Sequence, residues 1–219
     1  MSTTTLYDYW RSSASYRVRI ALNLAGVPYD SVSIDLLNGE QLGAAHKERH
    51  PQGFVPVLDI DGVRLTQSLT IVDYLHRTRS YRFLPDDPIQ AAKIQALAHT
   101  LAVDVHPVCN LNVVAHVAKL QNDQAEAKEQ WMARFIRPGL EAFETQLKTI
   151  QSSFAAGSTD FCSGEEPGLA DACLIPQLYN ALRWGVNFDD CERILSVKKA
   201  CDAHPAFQAA HPDAVNNTA

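Results

Sequence analysis

Apolar residues recur along this chain in two rhythms, and the change between them divides it. The first eighty residues alternate between short strand-like and helix-like stretches. TLYDYW, residues 5–10, is an apolar run of strand character. Val18, Ala21, Leu22 and Ala25 then recur at three- and four-residue intervals, predicting a helix from Ser13 to about Ala25, closed by Gly26. Tyr29, Val32, Ile34 and Leu36 return to a two-residue rhythm and predict a second strand. Strand, helix, strand with short joints makes a βαβ unit, whose strands run parallel. A looser polar stretch, 38–53, carries one helix around Gln41–Arg49. FVPVLDIDGVRLTQS then sets Asp61-Gly62 between two apolar runs, the signal of an antiparallel hairpin. Pro56 stands just before its first strand, and either blocks a strand edge or follows a cis bond at Val55-Pro56. SLTIVDYLHR resumes helical spacing, with Ser68 as its cap.

RSYRFLPDDP, 79–88, breaks the pattern with proline and aspartate and reads as a linker. Beyond it only the helical rhythm remains. Residues 89–120 form one periodic stretch with a kink expected near Pro107. Residues 123–150 form another, with Trp131, Phe135, Leu140, Phe143 and Leu147 at helical spacing and Pro138 inside. Residues 169–184 and 190–204 give two more, and the closing PDAVNNTA reads as a frayed tail. The predicted plan is an α+β thioredoxin-like domain of order βαβαββα over 1–80, a linker at 81–88, and an all-α domain over 89–219. The first part has the element order used by glutathione-binding domains.

Composition narrows the function. Of 219 residues, 46% are hydrophobic and 20% charged, an ordinary globular profile. The net charge of -6, with no run of Lys or Arg, argues against a nucleic-acid surface, though a few local arginines suffice for a small anion. No stretch approaches the ~20 apolar residues that span a bilayer, so no membrane association is expected. MSTTTLYDYW lacks the basic region and apolar core of a signal peptide. Cys109, Cys162, Cys173, Cys191 and Cys201 are odd in number and contain no C-x-x-C pair. They read as free thiols of a reducing cytoplasm, with no ligand spacing that suggests a metal.

The chemistry gathers at DYWRSSASYRVRIAL, where a strand hands over to a helix. Serines there are either plain caps or donors that hold an anion against the helix's positive end. RSSASYRVRIAL, FVPVLDIDG, TQSLTIVDYL, RFLPDDP, HPVCNLNV and LADACLIPQLYNALRWGV together resemble the zeta-class glutathione transferases over residues 6–212. Within that class they are most similar to the maleylacetoacetate isomerases. The resemblance implies a glutathione transferase fold, glutathione as cofactor and a homodimer. It also implies a dicarboxylate substrate from aromatic amino-acid catabolism, isomerised from maleylacetoacetate to fumarylacetoacetate. A general zeta-like transferase or a maleylpyruvate isomerase is the nearest alternative, and a non-catalytic partner-binding protein of this fold the more distant one.

By the same resemblance Ser12 is the catalytic hydroxyl that contacts the glutathione sulfur, with Ser13, Ala14 and Ser15 around it and Arg17 lining the site. A free thiol of pKa about 8.5 is only a few per cent ionised at pH 7, and lowering it by two units takes ~2.7 kcal/mol. Gln41 falls near the glycine end of the tripeptide, Val55 pairs its backbone with the cysteinyl unit, and Gln67 with Ser68 holds the γ-glutamyl end. His106, Asn110 and Asn112 belong to the segment that closes over the ligand. Arg11 and Arg183 take the substrate carboxylates, and Arg19 is structural. Two positions depart from the family: Ala14 replaces a cysteine, and Gly168 replaces the Thr or Ser that caps the helix beginning LADACL.

Overall fold

The computed structural model describes residues 4–153 and 160–216. Four strands form one mixed sheet in the order β2-β1-β3-β4: β1 is Thr5–Asp8, β2 Asp30–Ser33, β3 Val57–Ile60 and β4 Val63–Thr66. β1 runs parallel to β2 and antiparallel to β3, and β3 pairs antiparallel with β4 across the Asp61-Gly62 turn. The βαβ unit and the hairpin therefore stand as the residue pattern predicts. The strand expected over 29–36 is shorter, because Asp35 turns the chain. Its carboxylate accepts from the N–H groups of Leu37 at 2.8 Å and Asn38 at 3.1 Å.

α1, Ser13–Leu24, crosses from β1 to β2 and buries Val18, Ile20, Ala21 and Leu22. It ends in a Schellman motif: Val27 N–H bonds the Leu22 carbonyl, Gly26 N–H bonds that of Asn23, and Gly26 takes φ 63. The helix expected around 41–49 is split at Gly43 into a 3-10 turn, Glu40–Leu42, and α2, Ala44–Arg49. α3, Ser68–Thr78, packs on α1. Its cap position belongs to Gln67, so Ser68 is the first helical residue rather than the cap.

The described residues cluster into two compact units, one running to Phe83 and resuming at Ala203, the other spanning Leu84–Asp202. The helical part thus stops short of the C-terminus, unlike the expected 89–219 domain. The cause is visible on α1: Asn23 and Arg19 donate to the carbonyls of Ala206 and Ala210, and α1 packs on α9, Pro205–Ala210. Pro212–Val215 forms a short α10 where a frayed tail was expected; 217–219, like 1–3 of the N-terminal stretch read as no leader, lie outside the described residues.

The second unit contains α4 (Pro88–His99), α5 (Leu111–Lys119), α6 (Gln124–Ser152), α7 (Leu169–Arg183) and α8 (Glu192–Ala203). The break expected near Pro107 begins earlier, as a π-helical stretch from Thr100 to Val105. α6 approaches that stretch through Gly139, where a Cβ would lie 2.3 Å from Val105 Cγ2. α7 is buried on nearly every face. Its first turn is held by Asp171, whose carboxylate accepts from Gly168 N–H at 2.8 Å and Cys162 N–H at 2.9 Å. Gly168 supplies no side-chain partner in return, as expected from its identity. Glu144 of α6 caps α8 from outside, accepting from Arg193 and Ile194 N–H. Among the described residues no helix is long and apolar enough to cross a membrane.

Gly139→Ala is expected to cost about 1–3 kcal/mol through overpacking, read as a lower denaturant midpoint. Adding Val105→Ala should recover part of that loss, because it removes the clashing methyl groups.

Candidate active site

A buried ion pair sets the geometry where β1 becomes α1. Arg19 NH1 and Asp8 Oδ2 lie 2.6 Å apart, both side chains nearly inaccessible. Asp8 Oδ1 also accepts from Ser31, while Arg19 donates through Nε to Ala210 O and through NH2 to Trp10 O. Complete partnering is what makes a buried charge pair tolerable. The Trp10 carbonyl is fixed by it, and with it the loop into the helix.

Three further bonds close that loop. Ser12 N–H donates to Tyr9 O at 2.9 Å, Tyr9 N–H to Ser15 Oγ at 3.4 Å, and Ser15 N–H to Ser12 Oγ at 3.2 Å. Ser12, extended at φ -66 and ψ 122, is therefore the N-cap of α1. The cap uses a lone pair of the hydroxyl and leaves its proton to donate elsewhere. Ser13 is half-buried in the first helical position, and the N–H of buried Ala14 has no acceptor among the described residues. Ser15, expected around the ligand, is fully buried and its hydroxyl accepts from Tyr9 N–H, so it braces the loop.

Arg11 is a half-exposed cation in an aromatic seat. Its guanidinium lies 4.7 Å from the Trp10 ring centroid and donates to Tyr9 OH at 2.9 Å. Arg17 was expected to line the site, yet it is 2% exposed and stands behind Ser68, donating from NH1 to Ser68 Oγ at 2.6 Å. Gln67, exposed beside it, takes φ 67, a strained conformation for a side-chain-bearing residue.

Sheet register brings these groups to one edge. Tyr7 pairs with Val57 and Val57 with Thr66, so Tyr9, Val55 and Ser68 follow in step at the same end. The Val55-Pro56 bond is cis, and among the described residues neither the N–H nor the C=O of Val55 has a hydrogen-bond partner. That backbone is open to pairing with an extended ligand. His46 Nε2 bonds Phe54 O at 2.8 Å and steadies the loop, and Gly53, at φ 69, lets the Gln41 carbonyl approach to where a Cβ would be 2.7 Å away. Burial, then His46, pushes the neighbouring His50 imidazole below its ordinary 6.5.

The remaining expected residues belong to the second unit. His106 follows the π-helical stretch, and Trp131 Nε1 pins the next turn through Val108 O at 2.8 Å. Asn110 caps α5 by accepting from Leu111 N–H, which engages one lone pair of its side-chain carbonyl. Asn112 is exposed on α5, and Arg183 is the exposed last residue of α7, just before a Schellman turn at Gly185. None of the cysteines with a resolved shift offers a thiolate. Burial pushes Cys109 up to about 12 and raises Cys162, Cys191 and Cys201 as well.

The seat of Arg11 and the brace from His46 were not foreseen. Tyr9-Trp10 directly before Arg11 was a usable signal, read only as a strand's end; a lone His46 gave none.

The chain as a whole has known counterparts. The family model described as glutathione S-transferase, N-terminal domain, matches residues 2–77. A maleylacetoacetate isomerase of Rhizobium meliloti is 51% identical, covering 96% of each chain. One of Mus musculus is 38% identical over 94% of this chain and 91% of its own. Among solved structures, a maleylpyruvate isomerase described as a bacterial zeta-class transferase superposes with a TM-score of 0.92 at 33% identity, covering 98% of this chain and 100% of its own. A maleylacetoacetate isomerase from Anaeromyxobacter dehalogenans with bound GSH superposes with 0.85 at 37% identity, covering 99% and 98%. The chain belongs to the zeta class of the glutathione transferase family.

Removing the cap separates two roles of Ser12. Ser12→Ala should cost about 1 kcal/mol in ligand-free denaturant melts, whereas Ser12→Asp, which also caps, should stay within a few tenths of wild type.

Proposed function

We propose that this protein is a glutathione-dependent cis–trans isomerase acting on maleylacetoacetate. The observation that carries the reading is the 51% identity to a maleylacetoacetate isomerase along 96% of both chains. The site suits the chemistry: burial raises the thiols of Cys109, Cys162, Cys191 and Cys201, so the nucleophile is best brought in as a cofactor thiol.

Glutathione would lie with its cysteinyl unit paired to Val55 and its γ-glutamyl end at Gln67 and Ser68, and Gln41 toward its glycine. Its thiolate would sit at the start of α1, where the Ser12 O–H and the N–H of Ala14 favour the anion. The sulfur adds to one carbon of the cis double bond, and the electron pair moves onto the conjugated carbonyl as an enolate. The former double bond is now single and rotates. Collapse of the enolate restores the double bond as trans and expels the thiolate, so glutathione is returned unchanged. Arg11 and Arg183 are the cations proposed for the two substrate carboxylates, and His106, Asn110 and Asn112 for the segment that closes over the ligand. A cytoplasmic homodimer completes the proposal.

A second reading has its own support: the 0.92 superposition is with a maleylpyruvate isomerase. The purified protein should therefore be given maleylacetoacetate and maleylpyruvate, each with and without glutathione. Formation of fumarylacetoacetate only with glutathione, at a kcat/KM well above that for maleylpyruvate, is expected. Equal rates without glutathione would refute the mechanism, and the reverse preference would favour the second reading.

A further inference from the structure

Arg17 is an anomaly on energetic grounds. The residue is 2% exposed, yet among the described residues no carboxylate lies within ion-pair distance and its Nε has no hydrogen-bond partner. Two residues on, Arg19 shows what a structural buried arginine looks like: Asp8 opposite, and Nε, NH1 and NH2 all engaged. An uncompensated buried charge opposes folding, so the fold gains nothing from Arg17 that an apolar side chain of similar length would not supply.

Among the described residues, the polar group that Arg17 bonds is the Ser68 hydroxyl, at 2.6 Å. A guanidinium has donors only, so Ser68 Oγ must accept there. Its own proton is then committed to donating on its other side. Ser68, at the first helical position of α3, is 8% exposed at the same sheet edge as Val55. We infer that Arg17 is a positioning residue for ligand recognition: from behind Ser68 it orients that hydroxyl as a donor and supplies the positive charge that selects a carboxylate there. It does so without touching the ligand. The inference rests on the proposed placing of the γ-glutamyl end at Ser68 and adds the source of its charge selectivity.

The group recognised is the α-carboxylate of the γ-glutamyl unit. The test crosses a ligand change with a protein change, by calorimetric titration of the full chain. The ligands are glutathione and the analogue in which 4-aminobutyrate replaces the γ-glutamyl residue, which lacks only that carboxylate. Wild type should prefer glutathione by about 100-fold. Arg17→Met should lose most of that preference by weakening glutathione alone, and Arg17→Lys should recover much of it. Ligand-free Arg17→Met should melt at or above the wild-type temperature, an outcome a purely structural arginine would not give.

An unchanged preference in Arg17→Met would overturn the inference, as would a marked fall in its ligand-free Tm or a failure to fold. Wild type that binds both ligands equally would overturn it too. Wild type that binds neither would instead remove the glutathione reading itself.

Discussion

The Asp8–Arg19 ion pair is the constraint on which the first unit turns. One carboxylate and one guanidinium tie together the end of β1, the start of β2 through Ser31, the Trp10 carbonyl, and the returning C-terminal chain at Ala210. Burying two charges is costly, and the pair is sustained because each of its polar atoms has a partner. Its effect is geometric. With the Trp10 carbonyl held, the chain turns into α1 with Ser12 at the cap and Arg11 stacked on Trp10.

That turn decides which chemistry the protein's own atoms can take part in. The thiols that might have served as nucleophiles are raised by burial, Cys109 to about 12. What the site retains is electrostatic: a helix start, a hydroxyl whose acceptor side is occupied, and an arginine half open to solvent. Such groups stabilise a sulfur anion brought by a ligand and orient anionic substrates, and they do so without ionising themselves. Neighbouring arginines on one helix divide the work. Arg19 is fully paired and structural, whereas Arg17 is buried with its charge unmatched among the described residues.

Local rhythm carried most of the fold. The βαβ unit, the hairpin at Asp61-Gly62 and the helical second half all follow from spacing and turn chemistry, and the serine motif stands where β1 hands over to α1. Misses arose where distant contacts override local preference. Nothing around Pro107 announces a π-helical stretch starting at Thr100, which packs against Gly139 of α6. The return of α9 to α1 depends on side chains of Arg19 and Asn23 finding carbonyls nearly two hundred residues later. The burial of Ser15 and Arg17 was not legible either, because periodicity marks a helix start without telling which polar side chains turn inward.

The account stands on the Ser12 hydroxyl serving two partners at once, its lone pair for the helix and its proton for a bound sulfur. The direct measurement is the pKa of the glutathione thiol on the enzyme, followed by thiolate ultraviolet absorbance in wild type, Ser12→Ala and Ser12→Asp at saturating ligand. A thiol that titrates well below its free value of about 8.5 in wild type, and back toward or above it in both variants, is the predicted result. A wild-type value near 8.5, or a depressed value that survives in Ser12→Ala, would contradict it.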